Sequence, residues 1–422
     1  MRYVKPHYYD DFQCTADRCP DTCCAGWQIV IDEDSLEKYS QERGPFGNRL
    51  YASIDWEEGI FRQRKGRCSF LDENNLCDLY KELGKDALCK TCRMYPRHVE
   101  EYEGLRELSL SLSCPVAAEM ILRCREPLRL VEEETDEEEE LEEEFEDFDL
   151  LMFTQLEDAR AVMFDILQNR NLAMEQRIEA ARQMAEQMQG CIDEERYYDV
   201  DGVIAQFRDA AQREGDTRVT DIASGADIVD RADIVDSTDI VHSADSADSA
   251  DGTDSTCDMG AARRTGMSDR SESRYTAACR EYTVFGRLER LRLEWSEMLE
   301  HTWMILYEKG ENTYQRICLE FEAYCDGTRK ADWALFSENL FLFFLYTYFC
   351  GAVYDDWIYS KFALAEFSVR WIRELIMARW AEKGQFSWED CIQIAYRYAR
   401  EIEHSDENLN LLEEWLNEAR EK

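Results

Sequence analysis

Histidine is scarce in this chain: five among 422 residues, scattered, and none in the H-E-x-x-H arrangement that turns two imidazoles toward zinc. Positive charge is also short. Lys and Arg number 49 against 91 Asp and Glu, a formal net charge of −42, and a field of that sign repels nucleic acid. No G-x-G-x-x-G occurs, so a Rossmann-type nucleotide site is unsupported. Long apolar runs are missing as well. The longest, Leu340 to Cys350, is eleven residues with Thr347 inside it, whereas about 20 are needed to cross a bilayer. It reads as a buried core helix, and no membrane insertion is expected. The opening MRYVKPHYYDD has no apolar stretch after its basic residues and no small-residue cleavage site, so the expectation is a cytoplasmic protein without a secretory signal.

Cysteine, by contrast, is abundant. There are 17, ten of them before residue 131. Cys14, Cys19, Cys23 and Cys24 follow C-x4-C-x3-CC inside FQCTADRCPDTCCAGWQIVID; Cys68, Cys77, the pair Cys89 and Cys92 in CKTCRMYPR, and Cys114 in LSLSCP come after. Thiols grouped this way either cross-link a small secreted scaffold or hold a metal. The total is odd, no secretory signal is visible, and a chain of this length buries a core without staples. A metal or cluster site in a reducing compartment is therefore expected.

Structural zinc favours two C-x2–4-C knuckles; Cys89/Cys92 is a clean one, and Cys19/Cys23 fits the spacing. Iron–sulfur clusters take four soft thiolates at variable spacing, and the nine cysteines from Cys14 to Cys114 suffice for one cluster with spares or for two metals. The adjacent Cys23 and Cys24 are expected to point in different directions. The C-x3-C-x2-C of radical S-adenosylmethionine chemistry is not matched. His98, beside the Cys89/Cys92 knuckle, reads as a surface or outer-layer residue rather than a ligand. Arg62, Arg64, Lys65 and Arg67 precede Cys68, and Arg93 and Arg97 flank Tyr95-Pro96. Positive charge there stabilises thiolate or holds a carboxylate or phosphate. A solvated loop is the equal alternative.

Residues 1–130 form a near-neutral, cysteine-rich unit with 19 basic and 23 acidic side chains. Within it Trp27–Ile31 reads as a short strand or a helix start, and Pro115–Arg125 as a helix with Pro115 in its first turn. Residues 131–149 are an acidic linker or solvated face. From 150 to 215 apolar residues recur at helical spacing, as at Ile178, Ala181, Ala185 and Met188, with Asn169 and Asn171 dividing the segment into two helices. Residues 216–274, with near-repeats of A-D-I-V-D and then SADSADSADGTDST, cannot bury enough surface to offset ordering entropy and read as a disordered insertion. Replacing them with a short Gly/Ser linker is expected to leave the melting midpoint within a few degrees, since long surface insertions cost little to close. A larger fall would show that they contribute to the core. Residues 275–422 read as a helical domain rich in Tyr, Trp and Phe, with helices over 287–308 and 333–357 and N-caps at Asp332, Ser387 and Ser405. The fold class is mostly α: a loop-rich metal or cluster domain followed by an aromatic-rich helical domain.

The ordered series KPHYYDDFQC, CPDTCCAGWQIVID, GRCSFLDENNLCDLY, CKTCRMYPR and SLSLSCP resembles the flagellin lysine N-methylase family. Its N-terminal part is similar to zinc- or iron-chelating domains with clustered cysteines. The resemblance is dense over residues 5–121, looser through the C-terminal helices, and absent from 131–149 and 216–274. It implies methyl transfer from S-adenosylmethionine to lysine side chains of flagellin. It also implies an iron–sulfur cluster, 4Fe–4S with zinc as the alternative, on Cys14, Cys19, Cys23, Cys24, Cys68, Cys77, Cys89, Cys92 and Cys114.

Amine methylation needs a neutral lysine, and aromatic faces suit both a sulfonium and a methylated ammonium. Tyr8, Tyr9, Trp27 and Tyr95 are the candidates for those faces. Arg62, Arg64, Arg67, Arg93 and Arg97 are the candidates for binding the donor. Two rivals stand beside this reading: a non-enzymatic zinc- or iron-binding interaction module, and a redox or metal-trafficking protein using Cys23/Cys24 and Cys89/Cys92. Oligomeric state is not readable from these residues.

Overall fold

In the computed structural model, which describes residues 1–136, 148–212, 273–327 and 330–421, the first strand lies inside a sheet built from distant pieces of chain. Arg2–Pro6 pairs in parallel with Leu105–Leu110 and antiparallel with Leu130–Glu134, while Arg97–Tyr102 closes the far side as a hairpin on Leu105–Leu110. Leu105 and Leu110 of the third strand are buried, and so is Glu107 between them. A buried carboxylate needs a partner. Arg160, on the helix Leu150–Leu167, supplies a two-pronged pair to it and also donates to the Tyr346 carbonyl at 3.0 Å. Tyr346 returns the link, its hydroxyl donating to the carbonyls of Val4 (3.0 Å) and Leu108 (3.2 Å).

Sheet and helices thus share one large core. It takes in Val4, Tyr102, Leu112 and Ala117 together with the helices of the C-terminal half, so the compositional boundary at residue 130 does not coincide with a break in packing. The acidic run expected as a linker begins in an edge strand: Glu132, Glu133 and Glu134 pair with Val4, Tyr3 and Arg2. Phe148 packs on the core and Asp149 caps the helix Leu150–Leu167, accepting from the Met152 amide. The remainder of that run, residues 137–147, and all but the last two residues of the low-complexity segment lie outside the described residues, as does Cys257.

The helix Ile358–Lys383 is the hub of the bundle, with buried residues on most of its faces and its charged side chains spread around it rather than gathered on one. It packs against Met174–Asp193, Leu293–Leu306, Glu311–Cys325, Lys330–Tyr348, Trp388–Glu403 and Asp406–Glu421. Its one fully buried carboxylate, Glu374, accepts from the hydroxyls of Tyr307 (2.9 Å) and Tyr314 (2.8 Å) and from Arg274 (3.0 Å), which satisfies the charge.

The segment 150–215 contains three helices rather than two. Besides the break at Asn169–Asn171, a second falls between Asp193 and Val200, where Glu195 takes a left-handed turn. The helix expected over 287–308 starts only at Leu293, because residues 287–288 turn and bend and 289–292 take no regular structure, Arg292 being extended where it meets the N-terminal loops. Ser387 caps its helix through a capping box, and Ser405 accepts from the Asn408 amide at 3.3 Å. Asp332 lies inside the first turn of Lys330–Tyr348 instead of capping it. Together with a 3-10 turn, that helix makes a stretch, Lys330–Tyr354, long and apolar enough to span a membrane, a length the eleven-residue run had not predicted. Of its most apolar window 78% is buried inside the protein.

A second, smaller core holds the cysteine loops. Ile29, Ile31, Tyr39, Leu50, Ile54, Phe61, Phe70 and Leu79 surround Cys68 and Cys89, with Cys24, Cys77 and Cys92 against it. Trp27–Ile31 is extended, and only Val30 forms a bridge, to Ile60. Pro115–Leu122 is helical, with Pro115 in its first turn as expected.

Candidate functional site

The small core meets the bundle at one seam, built from the loop 19–27, the turn 111–114 and the C-terminal end of the helix Trp388–Glu403. Asp21 stands at its centre. Its Oδ2 accepts from Arg400, whose side chain is 1% exposed, and lies 3.5 Å from Arg292 Nη1. Arg400 also donates to the Ser113 carbonyl at 2.9 Å, and Arg292 to the carbonyls of Ala25 and Thr22. The Arg292 side chain crosses so close to Gly26 that a Cβ there would sit 2.3 Å from its Nε, at a φ of +85° that also favours glycine.

Beside this clamp three rings gather. Trp27 lies 4.8 Å from His404 and 5.8 Å from Tyr95, and Tyr95 lies 5.9 Å from His404. Ser113, fully buried, ties them together: its hydroxyl is 3.0 Å from the Tyr95 hydroxyl and 2.9 Å from His404 Nε2. Trp27 is fixed by its indole N–H, which donates to the Cys23 carbonyl at 2.7 Å. Burial, with Arg400 and Arg292 alongside, pushes the His404 imidazole down to about 3, so it is neutral at physiological pH.

Next to it, Glu403 accepts from Ser111, while its Oε1 is buried without a partner. Burial raises its carboxyl to about 7 against the opposing pull of that hydrogen bond. Glu401, one turn after Arg397, is likewise raised to about 7 by burial, with the Leu291 amide on Oε2 and nothing on Oε1.

The nine candidate thiols from Cys14 to Cys114 are all free. Cys19, Cys23 and Cys114 face the seam: Cys19 donates to the Asp21 carbonyl at 2.7 Å, Arg400 favours the thiolates of Cys19 and Cys23, and Cys114 senses both. Burial pushes the Cys114 thiol up to about 11. Cys23 and Cys24, expected to diverge, are in hydrogen-bond contact, which raises Cys23 further than its burial alone. Cys89 and Cys92 form a second contacting pair, the Cys92 thiol lowering Cys89 and rising itself; Cys24 and Cys68 neighbour Cys92. Cys68 is raised to about 11, first by burial.

Among the described residues, no three of His, Cys, Asp and Glu are arranged to hold a metal ion. A single tetrahedral zinc would need four donors at about 2.3 Å from one point. A multi-iron cluster seats its thiolates on separate irons and spreads them wider. Arg400 Nη2, buried and without a partner beside Cys19 and Cys23, is the orphan that an anionic thiolate centre would satisfy.

The other candidates lie elsewhere. Tyr8 lines a small hollow with His7, Cys124 and Asn339, apart from the seam residues, and Tyr9 is buried beneath Arg97, which also covers Phe12. Arg62 bridges to Asp55 at 3.4 Å, exposed Arg64 stands at the tip of a hairpin, and Arg67 holds Asn75 at 2.8 Å. Arg93 is exposed, and His98 is exposed with Nε2 2.5 Å from Glu100. The structure does not gather the five arginines around one point. Of what it does gather, Asp21 and Ser113 lie inside the quoted cysteine motifs, whereas no motif marks Arg292, Arg400, Glu403 and His404. Only the rarity of histidine singles out His404.

The FliB lysine N-methylase C-terminal domain profile matches residues 160–225 and 270–421, together more than half of the chain. The chain is 30% identical over 141 residues to the flagellar biosynthetic protein FliU of Salmonella muenchen, a match covering 31% of this chain and 83% of that protein. It is also 30% identical over 138 residues to lysine-N-methylases of Salmonella choleraesuis and Salmonella typhimurium, covering 31% of this chain and 34% of each relative's length. No solved structure matches it.

Proposed function

The chain belongs to the FliB lysine N-methylase family, and from that premise we propose that it methylates lysine side chains of flagellin using S-adenosylmethionine, with the seam as the place where the lysine reacts. The observation that carries the proposal is Glu403: a carboxyl raised to about 7, with a buried orphan oxygen, next to a neutral imidazole and two aromatic faces. A lysine near pKa 10.4 is an ammonium at neutral pH and has no lone pair to give. Glu403 as carboxylate takes its proton. Burial next to Arg400 and Arg292 favours the neutral amine that remains. The donor supplies a methyl on a sulfonium, which the amine takes as the carbon–sulfur bond breaks and its electron pair stays on sulfur. Trp27 and Tyr95 offer electron-rich faces to the methylated ammonium, and His404, uncharged, does not repel it. What supports a flagellar substrate is the flagellar biosynthetic role named for the relative in Salmonella muenchen.

An iron–sulfur cluster, with zinc as the alternative, belongs to the same proposal. Its support is the soft-donor set and the orphaned Arg400 donor beside it. Cys14, Cys19, Cys23 and Cys114 would hold it at the seam, and Cys24, Cys68, Cys77, Cys89 and Cys92 are the reserve within the small core. Bound there, it would cross-link the 14–23 loop to the turn at Cys114.

Mass spectrometry of flagellin incubated with the protein and S-adenosylmethionine is the test. Mass gains in steps of one methyl, mapped to lysines, are expected. Unmodified flagellin, from protein whose thiols were kept reduced and loaded with iron and sulfide, would return the chain to a non-enzymatic binding role.

A further inference from the structure

A cleft of ≈ 380 Å³ lies between the helices Leu293–Leu306, Ile358–Lys383 and Trp388–Glu403. Apolar side chains, among them Met298 and Ile394, line part of it. Charges of both signs line the rest: Glu294 and Glu297, three residues apart and so on one helix face, and Lys383 and Arg397 on the other two helices. At one end His301 reaches Glu382 at 3.2 Å, and Arg379 is occupied by Asp390 at 3.0 Å. Among the described residues, neither Glu297 nor Arg397 has a side-chain hydrogen bond or an ion pair.

Left unpaired beside apolar side chains in one cleft, Glu297 and Arg397 match a ligand bearing both signs on an apolar stem. An α-amino-acid zwitterion is such a ligand: its carboxylate suits the guanidinium fork, its ammonium the Glu297 carboxylate. The volume falls in the range of small-molecule sites, roughly 300–1,000 Å³, and leaves room for more than an amino acid.

The cleft also runs along the elements that build the seam. Arg397 stands one turn, about 6 Å along the axis, before Glu401. Glu294 follows Arg292, which clamps Asp21, by two residues. Cleft and seam thus share the helix Trp388–Glu403, which carries Arg397 in the one and Arg400 and Glu403 in the other.

We infer that this cleft binds the amino-acid end of the methyl donor, a nucleoside carrying an α-amino acid on sulfur, with the carboxylate on Arg397 and the ammonium on Glu297. The assignment rests on the methylase reading above, and the two fail separately. Isothermal titration of the full chain with S-adenosylhomocysteine, which reports binding without turnover, is the test. Wild-type protein is expected to bind it. Arg397→Ala and Glu297→Gln should each weaken it about tenfold or more, the loss of one charge-assisted contact. Arg397→Lys, which keeps the charge and loses the fork, should fall between, and it serves as the probe if the alanine variant does not fold. Adenosine alone should bind all forms equally.

Undiminished binding of S-adenosylhomocysteine to all three variants would place the donor elsewhere and leave the methylase reading intact. Methionine binding as tightly as S-adenosylhomocysteine would make this a free amino-acid site and overturn the assignment. No binding to wild-type protein would overturn it as well, and the flagellin mass assay would then show whether the methylase reading falls with it.

Discussion

Glu403→Gln is expected to lower kcat/KM for lysine methylation by roughly 10²–10⁴-fold, the usual share of a general base. The wild-type rate should rise with pH through about 7 as Glu403 loses its proton, and the glutamine variant should lack that limb. Stability should move the opposite way. The folded carboxyl lies above its ordinary value of 4.5, so its contribution is fully present below about pH 4.5 and is lost as pH rises through about 7. Glutamine carries no charge to lose. At pH 8 the variant should therefore be at least as resistant to urea as wild type, by up to roughly 3 kcal/mol, the value of a shift of this size. A variant that loses activity and stability together would point to a structural role. One that keeps its activity would remove Glu403 from the chemistry.

The second large effect is expected at Asp21. Its carboxylate faces the guanidinium of Arg400 and, at 3.5 Å, that of Arg292. Asp21→Asn leaves both positive charges next to each other in a partly buried place, and breaking the pair from one side is expected to cost about 3 kcal/mol, the lower end for a buried pair. Urea unfolding followed by tryptophan fluorescence should show the loss, and proteolysis should cut first in the 14–26 loop, which the pair ties to the bundle. The double change Asp21→Leu with Arg400→Met, which removes charge from both sides, should recover much of it. If Asp21→Asn alone costs less than about 1 kcal/mol, the seam is held by packing and not by this pair.

The sequence shows its helices and its thiols for clear reasons. Ala181, Ala185 and Met188 repeat at the helical period and are buried, and the aromatic run from Leu340 is core because no side of it can face water. Clustered cysteines announce themselves by spacing. Other features depend on contacts far apart in the chain. Arg2–Pro6 becomes a central strand only through partners a hundred residues away, and the acidic stretch from Val131 hides the strand that begins it. The seam was legible in half: Trp27 and Tyr95 stand out as aromatic residues near cysteines, whereas Arg400 and Glu403 sit in an ordinary amphipathic helix pattern. Nothing local distinguishes a buried arginine from an exposed one at the same helical period. Its function comes from Asp21, 379 residues earlier.

The strand Leu130–Glu134 has a further consequence, for how copies of the molecule meet. A strand at the margin of a sheet invites another strand to add to it, the first step toward ordered aggregates. Here that margin carries Glu132, Glu133 and Glu134, all exposed. Two such margins approaching edge to edge would crowd carboxylates against carboxylates. The acidic composition thus also serves as a colloidal guard on the sheet, keeping concentrated protein dispersed while those side chains are ionised.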